Sequence, residues 1–286
     1  EVGREQGMEM VISSDQGCRM KSLVLVLFFF VGVVSLWASE KPNVLFVISD
    51  DLSYNLGGMG HEVCKTPHLD EFAKSSVAFT RAYTQFPLCA PSRASLFSGQ
   101  YPVKNGVTKN GGNIAADRVT LPRHFRDNGY WSARVSKIYH MGIPVDVLQG
   151  TNGGDHEPSW NERHNIMALE SMTPGRIVDY LNPKAPKAFK EERNVWQASY
   201  DSGEAYQMIP EARSQFTVTE VADENEGLLA DVMAADKAIE LLEQRAEDEK
   251  PFFLAVGFVR PHFPFIGTDS NICLLYTSDA ADEKRW

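Results

Sequence analysis

Short apolar runs alternate with amphipathic stretches along much of the chain. "NVLFVIS" (43–49) is an unbroken run of β-branched, aromatic and aliphatic residues, the pattern of a strand buried on both faces, and it ends in Asp50-Asp51. "TPHLDEFAKSS" (66–76) predicts a helix with Thr66 as N-cap, Pro67 in the first turn, and Leu69, Phe72 and Ala73 on one face. "VAFTRAY" (77–83) predicts a second strand; from Pro91 the spacing turns helical until Gly99 closes it. "TLPRHFRDNGY" (120–130) predicts a short helix stopped by Gly129, and "YWSARVS" (130–136) the strand after it. Residues 141–221 are rich in Gly, Pro, Asn and Glu with weak periodicity, and read as long excursions over a scaffold. The strongest helix spans residues 226–248, with Leu229, Val232, Met233, Ile239, Leu241 and Leu242 as its apolar stripe. "PFFLAVGFV" (251–259) is another buried strand, ending in Arg260-Pro261-His262.

Strand, helix, strand, helix, strand is the order of an α/β sheet covered on both faces. Sites in such sheets gather beyond the carboxyl ends of the strands. The polar groups of interest stand there: Asp50 and Asp51 after the first strand, Lys137 and His140 after "YWSARVS", and His262 after the last.

The first forty residues change the picture of where the protein works. Met20-Lys21, the uncharged run "LVLVLFFFVGVVSLW" (23–37) and small residues Ala38 and Ser39 form a signal-peptide layout at 20–39, which predicts export. Residues 1–19 have no place ahead of a signal peptide and read as upstream non-native translation. "CLLYTSDAADE" (273–283) resembles a translated sequencing adaptor, so 273–286 read as an artefact and 40–272 as the natural domain.

A formal charge of −10 argues against a nucleic-acid partner or an anionic-membrane surface, and no stable membrane partner is expected. An anionic small substrate is compatible, because a local cluster of cations can sit within an acidic protein. With Cys18 and Cys273 set aside, Cys64 and Cys89 remain; a bridge between them would remove Cys89 from any chemistry.

Adjacent carboxylates at the end of an apolar strand are costly unless a cation lies between them, and a hard divalent ion takes oxygen ligands. Cys89 opens a helix whose first turn presents free N–H groups and a positive dipole end, a place for an anion and a setting that lowers a thiol pKa. Arg93 lies one turn on, able to reach back with its fork of donors. On Cys89 and Arg93 alone, a buried structural thiol beside a surface cation is the better reading.

The string Cys89-Ala90-Pro91-Ser92-Arg93, followed by Leu96, Ser98 and Gly99, resembles the signature of the type I sulfatases. The resemblance extends over residues 41–265 through "NVLFVISDDL", "KTPHLDEFA", "SKIYH" and "PFFLAVGFVRPHFPF"; the "KIYH" and "RPHFPF" segments follow the iduronate-2-sulfatase-like pattern. It implies an alkaline-phosphatase-like α/β fold with a mixed central sheet between helices, its C-terminal part lying beyond this chain. It also implies that a formylglycine-generating maturation enzyme, reading Cys-x-Pro-x-Arg, oxidises Cys89 to formylglycine. Asp50, Asp51 and the modified Cys89 would bind Ca2+, and Arg93 would hold the formylglycine hydrate and the metal site. Lys137 and His140 would bind sulfate, and His262 would meet the ester of a sulfated carbohydrate. Attack by one hydrate hydroxyl and expulsion of sulfate by the other would complete the cycle.

Ser136 stands where many relatives carry Gly, and His68 where many carry Asn. The family's later Asp-His or Asp-Asn pair and a further lysine have no counterpart before residue 272. His61, His124, His156 and His164 read as structural or solvated, since none has convergent partners in the sequence. The competing readings are a phosphoester hydrolase of the same superfamily, which would show Ser or Thr as nucleophile, a secreted non-catalytic glycan binder, and a thiol hydrolase, which would need a His-oriented cysteine.

Overall fold

The computed structural model describes residues 41–54, 56–61, 64–170, 176–180, 198, 202 and 217–271. The signal-peptide and adaptor readings, and much of the 181–216 stretch, lie outside them. Strand β1 (Val44–Ser49) leads to helices α1 (Pro67–Lys74), α2 (Cys89–Ser98), α3 (Pro102–Asn105) and α4 (Leu121–Asp127). Then come β2 (Trp131–Ser136), α5 (Val145–Gln149), β3 (Glu162–His164), β4 (Arg176–Tyr180) and β5 (Thr217–Val221). Helix α6 (Ala230–Ala246), β6 (Phe252–Phe258) and β7 (Phe265–Thr268) close the order. The larger sheet runs β1-β6-β2-β3 and is parallel at each pairing. Antiparallel pairing enters in the smaller sheet, β4-β5-β7, between β4 and β5.

Period-two alternation along β6 shows why both faces are covered. Phe252, Leu254 and Val256 join Trp131, Ala133 and Val135 of β2 and Ala230, Ala234, Ala238 and Leu241 of α6 in one core cluster. Phe253 and Ala255 belong to the opposite cluster, with Ala90, Ala94 and Phe97 of α2, Phe125 of α4 and Phe46 of β1. The Phe125 and Phe253 rings stack at 4.7 Å between centroids. Burying each such ring contributes about 2–3 kcal/mol, so these two clusters hold the sheet between its helices.

Several sequence expectations change in the folded chain. β1 is covered on one face only: Leu45 and Val47 are 49% and 54% exposed, because α2 packs on the opposite face, against Phe46. Residues 77–83 form no strand, and Val77, Phe79 and Tyr83 stand exposed. A β-branched run becomes a strand only where a ladder partner is available, and among the described residues none pairs with it. Leu69 and Phe72 of α1 are likewise exposed rather than packed. Thr66 does not cap α1 through its backbone N–H groups; its hydroxyl donates to Asp70 at 2.7 Å and accepts from Gly57 N–H at 2.9 Å. Helix α6 starts later than predicted, after a 3-10 turn, and meets the sheet through alanines, with Ile239 53% exposed. Small side chains let that helix approach the strands closely. Within 141–221, the expected excursions also contain α5, β3, β4 and β5.

Candidate active site

β1 carries Asp50 to the C-terminal end of the sheet, where its N–H continues the ladder to the Phe258 carbonyl at 3.1 Å. The carboxylate is buried and lies between two cations. Arg93 Nη2 donates to Asp50 Oδ1 at 2.9 Å, and Lys137 Nζ forms an ion pair with Oδ2. Arg93 reaches this point because α2 begins beside the strand end and the guanidinium sits one turn below its start. Its Nη1 donates to the carbonyls of Lys137 at 2.7 Å and Ile138 at 2.6 Å, so α2 and the end of β2 are joined. At the helix start, Ala90 N–H donates to Asn110 Oδ1 at 3.1 Å, leaving Cys89 at the rim of the pocket.

Cys89 Sγ is 3.9 Å from Asp50 Oδ2, and His262 Nε2 is also 3.9 Å from that oxygen. One donor atom each from Asp50, Cys89 and His262 lie within 4.8 Å of one another. The His262 ring stacks on Phe263, and its Nδ1 meets the Phe263 carbonyl at 2.6 Å, which places the proton on Nδ1 and leaves Nε2 facing the pocket. His140 Nδ1 is buried without a hydrogen-bond partner among the described residues. Cys64 and Cys89 are both free thiols.

Burial pushes the Asp50 carboxyl up, but Arg93 and Lys137 outweigh it and hold its pKa at about 2. Burial lowers the Lys137 pKa against the opposing pull of Asp50. Burial, then Lys137 and Arg93, drive His140 down to about 4, so its ring is neutral at pH 7. Burial and Lys137 lower His262 as well. Two cations flank the one buried carboxylate, while the exposed Asp51 acts on the pocket from its margin. The expected lowering of the Cys89 thiol by its helix start does not occur: burial and then Asp50 push it up.

Asp50, Cys89, Arg93, Lys137 and His262 therefore meet in one place, and His140 adjoins it closely enough to feel both cations. Asp51 does not join the donor group; it is exposed with φ 60, though its charge still acts on Cys89 and His262. Away from the pocket, His156 is a buried structural hub, with Nδ1 2.8 Å from Ser159 Oγ and Nε2 3.2 Å from the Ala115 carbonyl. His61 accepts the Cys64 N–H at 3.1 Å, His124 is exposed, and His164 faces Glu162 at 3.3 Å. Sequence reasoning missed Asn110, Glu170, Asp231 and Gly257, whose contributions come from other elements.

Ser136 explains one departure noted in the sequence. Its φ is 57, a left-handed conformation that costs a side-chain-bearing residue about 1–2 kcal/mol. Its buried hydroxyl also lacks a hydrogen-bond partner among the described residues. Glycine removes both costs and adds about 0.5–1 kcal/mol of backbone entropy loss. Ser136→Gly is therefore expected to stabilise the fold by about 1 kcal/mol, read as a raised urea midpoint at unchanged slope. A lowered midpoint would show that the serine is held by a bond worth more than its strain.

A profile of the sulfatase family matches residues 42–273. Iduronate 2-sulfatase of Mus musculus is 30% identical over 235 residues, covering 80% of this chain and 36% of its own length. The ulvan-active sulfatase of Formosa agariphila is 42% identical over 165 residues, 51% of this chain and 33% of its own length. The crystal structure of Ps i-CgsB is similar with a TM-score of 0.58 at 21% identity, covering 85% of this chain and 50% of that one. The chain thus spans about a third of the length of these curated relatives. The structural likeness shows the fold, the α/β alkaline-phosphatase-like arrangement of a sheet between helices.

Proposed function

The chain belongs to the sulfatase family, and from that premise we propose that it hydrolyses sulfuric esters with a formylglycine hydrate made from Cys89. The observation that carries this reading is the delivery of Cys89, within Cys-x-Pro-x-Arg, to the rim of a pocket whose buried floor holds two cations, Arg93 and Lys137, on either side of Asp50. A sulfate ester is an anion whose reacting centre gathers charge on its outer oxygens, and fixed cations stabilise that charge most where water is excluded. Lys137, fully buried, and neutral His140 would hold those oxygens. Arg93 keeps the helix bearing residue 89 fixed against the end of β2. His262 would meet the ester oxygen through Nε2, its Nδ1 proton being committed to Phe263.

The Asp50, Cys89 and His262 donor atoms lie close enough together to share one cation, and an oxygen on residue 89 would suit a hard ion better than sulfur does. Asp50 and the modified residue 89 would hold Ca2+, with Asp51 turning in from its exposed position to complete the set, and the ion would supply Lewis-acid activation of the attacking hydroxyl. A sulfated sugar, within a polysaccharide or released from one, is the substrate class, on the strength of the iduronate-2-sulfatase-like segments and the 30% identity to that enzyme. The signal-peptide layout supports export, with the maturation enzyme as an obligatory partner. Among the described residues, no helix is long and apolar enough to cross a membrane.

The test is the mass of the Cys89 peptide, from protein exported by a host that has the maturation enzyme. The expected product carries oxygen in place of the thiol and its hydrogens, and reacts with hydrazides. Complete alkylation by iodoacetamide under the same conditions would overturn the mechanism and leave a glycan-binding protein that does not hydrolyse.

A further inference from the structure

His262 sits on a turn that is fastened at almost every polar backbone group. Val259 N–H and Arg260 N–H both donate to the Asp231 carboxylate in the first turn of α6, at 2.7 and 2.8 Å. The Arg260 carbonyl accepts from the Ser49 hydroxyl, and His262 N–H closes the turn on the Val259 carbonyl at 3.0 Å. The Arg260 side chain doubles back, donating from Nη1 to the His262 carbonyl at 2.9 Å while Nη2 pairs with Glu170. The Glu170 side chain is fully buried, and its other oxygen has no hydrogen-bond partner among the described residues. A buried ion pair adds little net stability, because desolvating both groups offsets their attraction. What this pair does add is direction: it fixes the carbonyl of His262.

We infer that Asp231 and Glu170 are positioning residues for His262, clamping residues 259–262 so that Nε2 stays aimed at Asp50 and residue 89. Neither touches the pocket. Asp231 comes from the helix beneath the sheet, and Glu170 from the segment after β3. Their effect on catalysis rests on the proposed role of His262 at the ester; their effect on the ring's orientation does not.

The experiment is site-resolved labelling of histidines by diethyl pyrocarbonate, followed by peptide mass spectrometry, on the folded full chain. Asp231→Asn and Glu170→Gln are expected to raise the labelling rate of His262 severalfold while exposed His124 keeps its rate. The double variant Glu170→Met/Arg260→Met removes the pair together, so that no charge is left buried alone, and it should free His262 while the chain remains folded. On an aryl sulfate, kcat should fall with KM little changed, and Arg260→Lys should restore only part of the loss, since an ammonium cannot span both acceptors. Unchanged His262 labelling in the folded double variant would overturn the inference. Absence of any turnover in the unsubstituted protein would instead count against the proposed function, and the labelling would still decide the clamp.

Discussion

Cys89→Ser is expected to lose turnover by a factor of about 10³ or more while leaving the fold unchanged. Serine is close to cysteine in size, and Cys89 sits at the rim of the pocket with its sulfur 3.9 Å from the nearest Asp50 oxygen, so little packing depends on it. The loss comes from chemistry. A formylglycine hydrate has two hydroxyls on one carbon: the first takes the sulfuryl group, and the second expels sulfate by restoring the aldehyde. A serine has one hydroxyl, so a sulfated serine has no internal route to release. Release of the alcohol from the ester should stop at no more than one equivalent per protein, with the sulfuryl group retained on residue 89 and unfolding by urea indistinguishable from the parent. Sustained turnover at a tenth of the parental rate would remove the hydrate from the mechanism.

The second large effect comes from a residue with no functional group. Gly257 lies in β6 between Ile48 of β1 and Ser136 of β2. A Cβ at this position would stand 2.0 Å from the Lys137 carbonyl oxygen, 2.3 Å from its carbon and 3.0 Å from its nitrogen. All three are backbone atoms, so no rotamer change relieves the clash. Either β6 or the turn into Lys137 must move, and that turn is what Arg93 Nη1 grips. Gly257→Val is expected to cost about 3 kcal/mol or more, above the usual range for overpacking because rigid main chain must shift. Urea unfolding measures this directly. A loss within half a kcal/mol of zero, a scale set by ordinary surface substitutions, would show that the strands part there without difficulty.

Much of the site was legible because its residues announce themselves locally. Asp50 and His262 follow apolar runs and Lys137 follows the mixed strand Trp131–Ser136, and a parallel sheet brings such strand ends to one side whatever the loops do. Cys89 and Arg93 are set by helical spacing within a single turn. What could not be read depends on partners distant in the chain. Asp231 and Glu170 look like ordinary surface acids in the sequence; only packing shows the first accepting two N–H groups of residues 259 and 260 and the second buried against Arg260. Gly257 is one glycine in an apolar strand until Lys137 arrives beside it. The same limit misled the reading of residues 77–83 and of β1, where intrinsic strand preference was clear but the covering neighbour was not in the sequence pattern. Ile239 was assigned to the core by period alone, whereas α6 lies close on the sheet through Ala234 and Ala238.

Arg93 gives the pocket a mechanical property as well as an electrical one. Its guanidinium holds Asp50 by the side chain but holds residues 137 and 138 by their main-chain carbonyls. Carbonyls are the same whatever residue carries them, so this brace is indifferent to side-chain drift along the end of β2. The helix that presents residue 89 and the strand that leads to Lys137 are thereby tied by main-chain bonds that persist whatever side chains stand at 137 and 138. Loss of the Arg93 guanidinium would untie them without breaking a ladder bond of the sheet.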